Sequence, residues 1–346
     1  MVASSRSKEC AASLSREKAK LGSPGKPPPF TPNSYTALTI YEEKRRLVIT
    51  LPESLDFEGN YETTVSHFEV LRDAAKRNRR IKNLRFDDLR KISPAAALVL
   101  ASEVDRWNQR ANGRLRANVP SWQPDIRQLL CEMGYFELLS LPRPSFDETS
   151  KRTTFLKFIR GDTGAANAGE LARQFRIEVE KMVGTSIERQ PLFEGLSEAI
   201  TNVGQHAYLP GAIFSKWWLS ASFDSLTKTL CVIFYDQGVG IPATLPTADF
   251  FERIKTFFDG WRDSQKIEAA MRGGRTATEK TERGKGLQNF ERFASACQYG
   301  ILSIYSSTGL YRMVWQNGTR IELADEARDF QNSIGGTLIE WQVELI

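Results

Sequence analysis

The sequence of 346 residues has little cysteine and little histidine, with four residues of the first and two of the second. The cysteines are far apart and form no CxxC pair, and no histidine cluster lies beside them; they are Cys10, Cys131, Cys231 and Cys297. This spacing disfavours both a zinc site and a disulfide framework. We therefore expect a cytoplasmic protein that works under reducing conditions.

Long apolar runs are also lacking. The best one, 95–101, falls far short of the roughly 20 residues that a membrane-spanning helix needs. Residues 1–30 contain no apolar segment of the kind found in secretory signals. We expect no insertion into a membrane.

No strong excess of one charge is present, since 47 Lys and Arg oppose 42 Asp and Glu. Most of the net charge of +5 belongs to residues 1–35. A second basic stretch, 72–91, holds nine Lys or Arg and three Asp, but no aromatic stacking platform or recognition motif accompanies it. We interpret 72–91 as a solvated edge, which disfavours nucleic acid as a partner.

The pattern along the chain divides it into four parts. Residues 1–36 predict a disordered basic tail, because they are rich in Ser, Lys, Ala and Pro. Residues 37–141 alternate strand and helix patterns, typical of a small α/β domain, and the proline-containing segment 142–151 predicts a linker. Residues 152–346 predict a larger domain with a mixed sheet. We thus expect two α/β two-layer sandwiches.

The expected elements follow from apolar periodicity and from turn residues. In the first domain we predict strands at 47–51, 83–86 and 115–119, and helices at 62–77, 94–108 and 125–133. In the second domain we predict strands at 154–159, 217–223, 230–235, 301–305, 311–315 and 337–343, and helices at 168–182, 191–208 and about 286–297.

The helix predicted at 191–208 has two distinct faces. Glu198, Asn202 and His206 recur every four residues and form one polar stripe. The apolar residues of this helix cluster about 120° away from that stripe. By itself the stripe fits a solvated face as well as a ligand-binding face.

Three glycine-containing segments have the chemistry of ligand loops. Asp236, Gly238 and Gly240 follow a predicted strand, where an acid can accept a hydrogen bond and glycines allow close approach. Residues 283–287 (Arg-Gly-Lys-Gly-Leu) open a helix, where amide groups attract anions. Residues 335–337 (Gly-Gly-Thr) enter the last predicted strand. Taken singly, each segment is also compatible with an ordinary turn.

In this order, the four elements resemble the motifs of the GHKL (histidine-kinase-like, Bergerat-fold) ATPase superfamily. Residues 198–206 resemble its N box, 236–240 its G1 box and 283–287 its G2 box, while 333–337 are similar to its last turn and strand. The resemblance covers roughly residues 150–346. It implies a Bergerat-type mixed sheet covered by helices, with an ATP lid at about 243–283.

The resemblance also implies roles for individual residues and names ATP and Mg²⁺ as cofactors. Glu198 would orient or deprotonate the nucleophile, and Asn202 would offer an oxygen to Mg²⁺. Asp236, supported by Thr337, would accept from the adenine amino group. The remaining predicted contacts are the glycines that admit the nucleotide and the residues that bind its phosphates: Gly238, Gly240, Gly284, Lys285 and Gly286. The Walker A pattern is absent, which excludes the P-loop route to ATP.

Residues 45–140 resemble more faintly a STAS-like domain of the kind found in anti-sigma-factor antagonists. Residues 84–88 and 92–98 carry this resemblance, although the usual Asp-Ser-Ser-Gly is missing. The resemblance implies a regulatory role for Ser93, but a serine before Pro94 is more simply a helix N-cap. We interpret His67 as a structural or surface histidine.

Three functions remain open from the sequence. The first is a Mg-ATP-binding protein and slow ATPase that acts as a nucleotide-dependent switch, coupled to the STAS-like domain or to a regulatory protein partner. The second is an anti-sigma-type serine/threonine protein kinase, and the third is a nucleotide-binding adaptor without turnover. Homodimerisation is left open.

Overall fold

In the computed structural model, residues Thr36–Ile346 form one compact unit. The structure describes residues 40–43, 46–111, 115, 117–145, 152–163, 168–184, 189–212, 214–244, 260–273 and 288–345. The predicted tail, 1–36, and most of the predicted linker lie outside these residues. Within the described residues, no helix is long and apolar enough to cross a membrane.

The N-terminal segment, residues 40–145, alternates short strands with helices. Its strands are β1 (Ile40–Glu43), β2 (Arg46–Thr50), β3 (Ser54–Leu55), β4 (Ile81–Arg85) and β5 (Lys91–Ile92). Its helices are α1 (Tyr61–Lys76), α2 (Pro94–Ala111), α3 (Pro124–Met133) and α4 (Tyr135–Leu138). Strands β1, β2 and β4 form one sheet, in which β2 and β4 are parallel, and β3 pairs with β5.

The strand predicted at 115–119 is wrong. Among the described residues of that range none is in a strand, and a 3₁₀ turn begins at Val119 (Val119–Ser121). Pro120 lies at the start of this turn and supplies no backbone N–H for a strand ladder. The alternation of apolar residues at 115–119 therefore does not indicate a strand here.

The sequence correctly predicts the start of α2. The Ser93 hydroxyl accepts a hydrogen bond from the Ala96 amide at 3.2 Å, and Pro94 is the first helical residue. Ser93 is thus a helix N-cap, as expected. His67 is buried in α1, and its Nδ1 lies 2.7 Å from the Thr63 carbonyl oxygen, so the histidine is structural.

The C-terminal segment, residues 152–345, is built on one large sheet. Its strands are β6 (Thr153–Phe155), β7 (Ile159–Asp162), β8 (Lys216–Asp224), β9 (Thr229–Asp236), β10 (Tyr299–Ser306), β11 (Gly309–Gln316), β12 (Thr319–Ile321), β13 (Ala327–Asp329) and β14 (Thr337–Glu344). Its helices are α5 (Ala168–Val183), α6 (Arg189–Asn202), α7 (Ile241–Thr244), α8 (Asp263–Gly273) and α9 (Gln288–Ser295). A π-helical turn, Val203–Ala207, continues α6.

The sheet has the order β12-β11-β10-β14-β9-β8-β6, with β7 also paired to β8 and β13 to β11. The neighbouring strands are antiparallel, and β14 lies centrally, with Thr337 opposite Asp236 on β9 and opposite Ser306 on β10. The strand predicted at 154–159 is divided into β6 and β7, which both pair with β8. This register brings the ends of β9, β10 and β14 together.

One face of the sheet packs under helices α5, α6, α8 and α9. The side chains buried on this face come from every second residue of a strand, as in Trp217 and Leu219 on β8 and Ile339 and Trp341 on β14. Trp341 Nε1 also donates to the carbonyl of Phe290 on α9 at 2.8 Å. We call this side of the sheet the front face.

The opposite, reverse face of the sheet packs against α1 and α2. Trp218, Tyr235 and Tyr305 on this face are fully buried, and α2 contacts β8 and β9. The large sheet is therefore covered on both sides, where the sequence predicts a separate two-layer sandwich. Strands whose residues are buried on both faces, such as β8 and β9, require this second cover.

Candidate functional site

A cavity of about 120 Å³ opens on the front face, between the end of α6 and the adjoining ends of β9 and β14. It brings together four residues predicted from the sequence, Asn202, Asp236, Gly240 and Thr337. Much of its remaining lining is apolar and comes from Ala199, Val203, Phe234, Ile241, Phe290 and Ile339. The combination of an apolar slot with a few polar groups is typical of a small-molecule site.

Helix α6 presents its two faces as predicted. The apolar residues of the expected buried face have at most 5% of their surface exposed: Leu192, Leu196, Ala199, Ile200 and Val203. Asn202 is partly exposed and faces the cavity, together with the exposed His206 of the π-helical turn. Packing of the apolar face thus directs the polar stripe toward the cavity.

Glu198 lies one turn before Asn202 and is not among the residues that line the cavity. The Asn202 side chain hydrogen-bonds to the Glu198 carboxyl, which ties the two residues together. Partial burial raises the pKa of Glu198, although this hydrogen bond opposes the shift. A carboxylate with a raised pKa is a better proton acceptor than an ordinary one.

Asp236 is the most strongly perturbed group of the cavity. Only 5% of its surface is exposed, and burial raises its pKa to about 7. Its Oδ1 accepts a hydrogen bond from the Gly238 amide at 2.7 Å, and the amide and hydroxyl of Thr337 also bond the carboxyl. These bonds fix the orientation of a carboxyl that is itself largely shielded from solvent.

The loop after β9 is held against the π-helical turn. The Ala207 carbonyl accepts from the Val239 amide at 2.8 Å, because carbonyls in a last helical turn lack partners within the helix. The approach is so close that a β-carbon at Gly238 would lie 2.3 Å from the Ala207 oxygen. Position 238 therefore needs glycine for this contact.

Ser306, at the end of β10, connects the loops around the cavity. The sequence does not predict this role. Its hydroxyl accepts from the Ile241 amide at 2.8 Å, donates to the Gly336 carbonyl at 3.2 Å and lies 3.0 Å from Thr337 Oγ1. Gly240, with φ of +87°, allows the turn between these groups. A single serine in a strand has no recognisable motif, so only the antiparallel pairing reveals this role.

The predicted phosphate-binding residues Gly284, Lys285 and Gly286 lie outside the described residues. So does much of the predicted lid, since the structure describes only 243–244 and 260–273 of the range 243–283. Within the lid range, α8 is a helix that packs on β10, β11 and β13 and contributes Ala270 to the cavity lining. Among the described residues, no group of three or more His, Cys, Asp or Glu side chains is arranged to hold a metal ion.

No family model matches this chain, and no curated protein matches it. Two solved structures resemble part of it. The 43K ATPase domain of Thermus thermophilus gyrase B is 13% identical, with a TM-score of 0.24, over 53% of this chain and 41% of the gyrase chain. The ATP-binding domain of Francisella tularensis topoisomerase IV is 12% identical, with a TM-score of 0.23, over 55% of this chain and 74% of the topoisomerase chain. Similarity at this level assigns no function to the present chain.

Proposed function

We propose that this protein binds Mg-ATP in the front-face cavity, hydrolyses it slowly and acts as a nucleotide-dependent regulatory switch. The observation that carries the proposal is the buried Asp236 carboxyl at the end of an apolar slot shared with Asn202 and Thr337. A fixed acceptor of this kind suits an exocyclic amino group, and the apolar walls suit a flat ring.

In this proposal the adenine amino group donates to Asp236, and Thr337 keeps the carboxyl in place. The ring would lie against apolar lining residues such as Val203 and Ile339. The triphosphate would extend toward residues 284–286, whose amides are the predicted phosphate donors.

Asn202 is suited to help hold Mg²⁺, because its amide provides a neutral oxygen at the cavity and the phosphates would supply further oxygen ligands. When bound, Mg²⁺ would neutralise charge on the phosphates. Glu198 would orient and deprotonate the attacking water. The hydrogen bond between Asn202 and Glu198 supports this division of roles, since it places base and metal ligand side by side.

Two variants of α6 test the proposed site. Asn202→Ala should weaken Mg-ATP binding by about tenfold through loss of one polar ligand. Glu198→Ala should retain binding but lower turnover by about 100-fold or more. Isothermal titration calorimetry measures the first effect, and release of phosphate from ATP labelled at its terminal phosphate measures the second.

Thr201→Ala is a matched control, because Thr201 is exposed on the same helix and its hydroxyl donates to the Ser197 carbonyl of that helix at 2.7 Å. It should change neither quantity. Unchanged Mg-ATP affinity in Asn202→Ala would show the site assignment to be wrong. Label transferred to a serine or threonine of a co-purifying protein, instead of free phosphate, would favour the kinase, and binding with neither product would favour the adaptor.

A further inference from the structure

Two loops adjoin the front-face cavity: 237–240 after β9, and 333–336, which leads into Thr337 of β14. The first loop contributes Gly240 to the cavity lining, the second is followed directly by the lining residue Thr337, and both contact the helices on the reverse face. Gly240 lines the cavity, whereas Gln237 and the Ile334 carbonyl contact α1 and α2. The N-terminal segment thus contacts, from the reverse face, the two loops that adjoin the cavity lining.

The first loop is bound by α2 through the Gln237 side chain. Gln237 Oε1 accepts from Arg106 Nε at 2.8 Å, and Gln237 Nε2 donates to Ser102 Oγ at 3.1 Å. All three residues are buried. Because an unbonded buried amide is costly, these two bonds fix the side chain and the loop that bears it.

The second loop is bound by α1 through Arg72. Arg72 Nη2 donates to the Ile334 carbonyl at 2.5 Å, and Nη1 donates to the Ser333 carbonyl at 3.4 Å. Gly335 has φ of +75°, and a β-carbon there would lie 2.1 Å from Arg72 Nη1. The loop conformation and the position of the guanidinium therefore depend on each other.

Glu103 of α2 joins the two contacts. It is fully buried, and its carboxylate bonds Arg72 Nη2 at 3.2 Å and pairs with Arg106 Nη1 at 3.5 Å. Removing one member of such a buried ionic group leaves an uncompensated charge. A displacement of either loop would therefore disturb the same group of side chains.

We infer that Gln237, Arg106 and Arg72 are positioning residues through which helices α1 and α2 set the shape of the nucleotide cavity. None of them lines the cavity, so they act on the ligand through the loops. The inference rests on the proposed function, because its consequence is a coupling between nucleotide affinity and the packing of α1 and α2. Such coupling is reciprocal by thermodynamic linkage.

The test uses Gln237→Met in the full-length protein, which keeps the length of the side chain and removes both hydrogen bonds. We expect affinity for a non-hydrolysable ATP analogue to fall about tenfold. We also expect faster hydrogen exchange at the amides of Gly238 and Val239 in the nucleotide-free protein. Arg106→Met should have the same effects, and the double variant should bind no more weakly than either single variant.

Asp105→Asn is the matched control. Asp105 also lies on α2 and pairs with Arg160 and Lys216 of the C-terminal segment, but it contacts neither loop. It should lower the unfolding temperature and leave nucleotide affinity within twofold. The inference is overturned if Gln237→Met changes neither affinity nor exchange, if the two Met substitutions weaken binding additively, or if Asp105→Asn weakens binding equally.

The exchange measurement separates this inference from the proposed function. If the wild-type protein binds no nucleotide, the proposed function fails. Faster exchange in nucleotide-free Gln237→Met then still supports positioning of the loop by α2, and unchanged exchange rejects it.

Discussion

Asp236 illustrates how one residue can serve a site at a cost to the fold. Its pKa of about 7 exceeds the ordinary 3.8, because burial disfavours the ionised form. Between these two values the native protein keeps a proton that the unfolded chain releases. Stability therefore falls as pH rises from about 4 to about 7, and the full cost remains above that range.

The isosteric variant Asp236→Asn should remove this cost. We expect the variant to be more stable than wild type, with an advantage about 2–3 kcal/mol larger at pH 8 than at pH 5. Urea unfolding at the two pH values measures the difference. An advantage that does not vary with pH would show that Asp236 does not titrate in this range.

The same carboxyl predicts how nucleotide affinity depends on pH. The ionised form is the better acceptor for the adenine amino group, so affinity for ATP should increase as pH rises through about 7. Asp236→Asn should bind ATP weakly, and its affinity should lack the part of the pH dependence that comes from ionisation of Asp236. Titrations at pH 6 and pH 8, with wild type and variant side by side, measure the effect. Equal pH dependence in the two proteins would assign it to the nucleotide or to another group.

At the scale of elements, the π-helical turn after α6 determines how helix and sheet meet. The turn places the Ala207 carbonyl against the loop after β9, where Val239 bonds it and Gly238 passes close by. π-Turns within α-helices are frequent at functional sites. The sequence predicts one continuous helix over 191–208, because periodicity does not distinguish the last turn from α-helix.

Two glycine substitutions test this contact. Gly238→Ala should displace the loop and weaken nucleotide binding by about tenfold or more, since the new methyl group has no room. Gly204→Ala, within the π-helical turn, places its methyl group where nothing lies within 4 Å and should bind normally. Calorimetric titration of both variants compares them. Normal binding by Gly238→Ala would mean that the loop tolerates displacement.

At the scale of the whole molecule, an aromatic cluster joins the N-terminal segment to the sheet. Tyr61 of α1 stacks on Phe330 with ring centroids 3.6 Å apart and on Tyr305 at 6.0 Å, and Phe57 lies 5.5 Å from Tyr305. The Tyr61 hydroxyl also donates to the Asn332 carbonyl at 3.2 Å. Large apolar contacts of this kind couple the folding of the parts they join.

We therefore expect residues 36–346 to unfold in one cooperative transition. Tyr61→Ala should lower the free energy of unfolding by about 3 kcal/mol and shift the whole transition. Tyr299→Ala, at the other end of β10, should cost less than about 1 kcal/mol, because Tyr299 is partly exposed. Differential scanning calorimetry measures both. Two separate transitions, with only one shifted by Tyr61→Ala, would indicate independently folding domains and favour the predicted linker at 142–151.

Much of this protein follows from local sequence. Regular periodicity predicts most helices and the long strands, and a serine before proline predicts the cap of α2. The polar stripe of α6, the glycines after β9 and the threonine that opens β14 identify four residues of the cavity. These features are local because they depend on spacing within one element and on the backbone preferences of Gly and Pro.

Only the tertiary structure assigns roles to residues without a local signal. Arg72 belongs to the basic stretch interpreted as a solvated edge, yet it is buried against Glu103 and the loop before β14. Ser306 and Gln237 gain their roles from partners many residues away. Long-range strand pairing and packing on both faces of the sheet bring these groups together, and no short window of sequence contains that information. The sequence by itself thus determined the chemistry expected at the site, whereas burial and long-range contacts decided which groups support it.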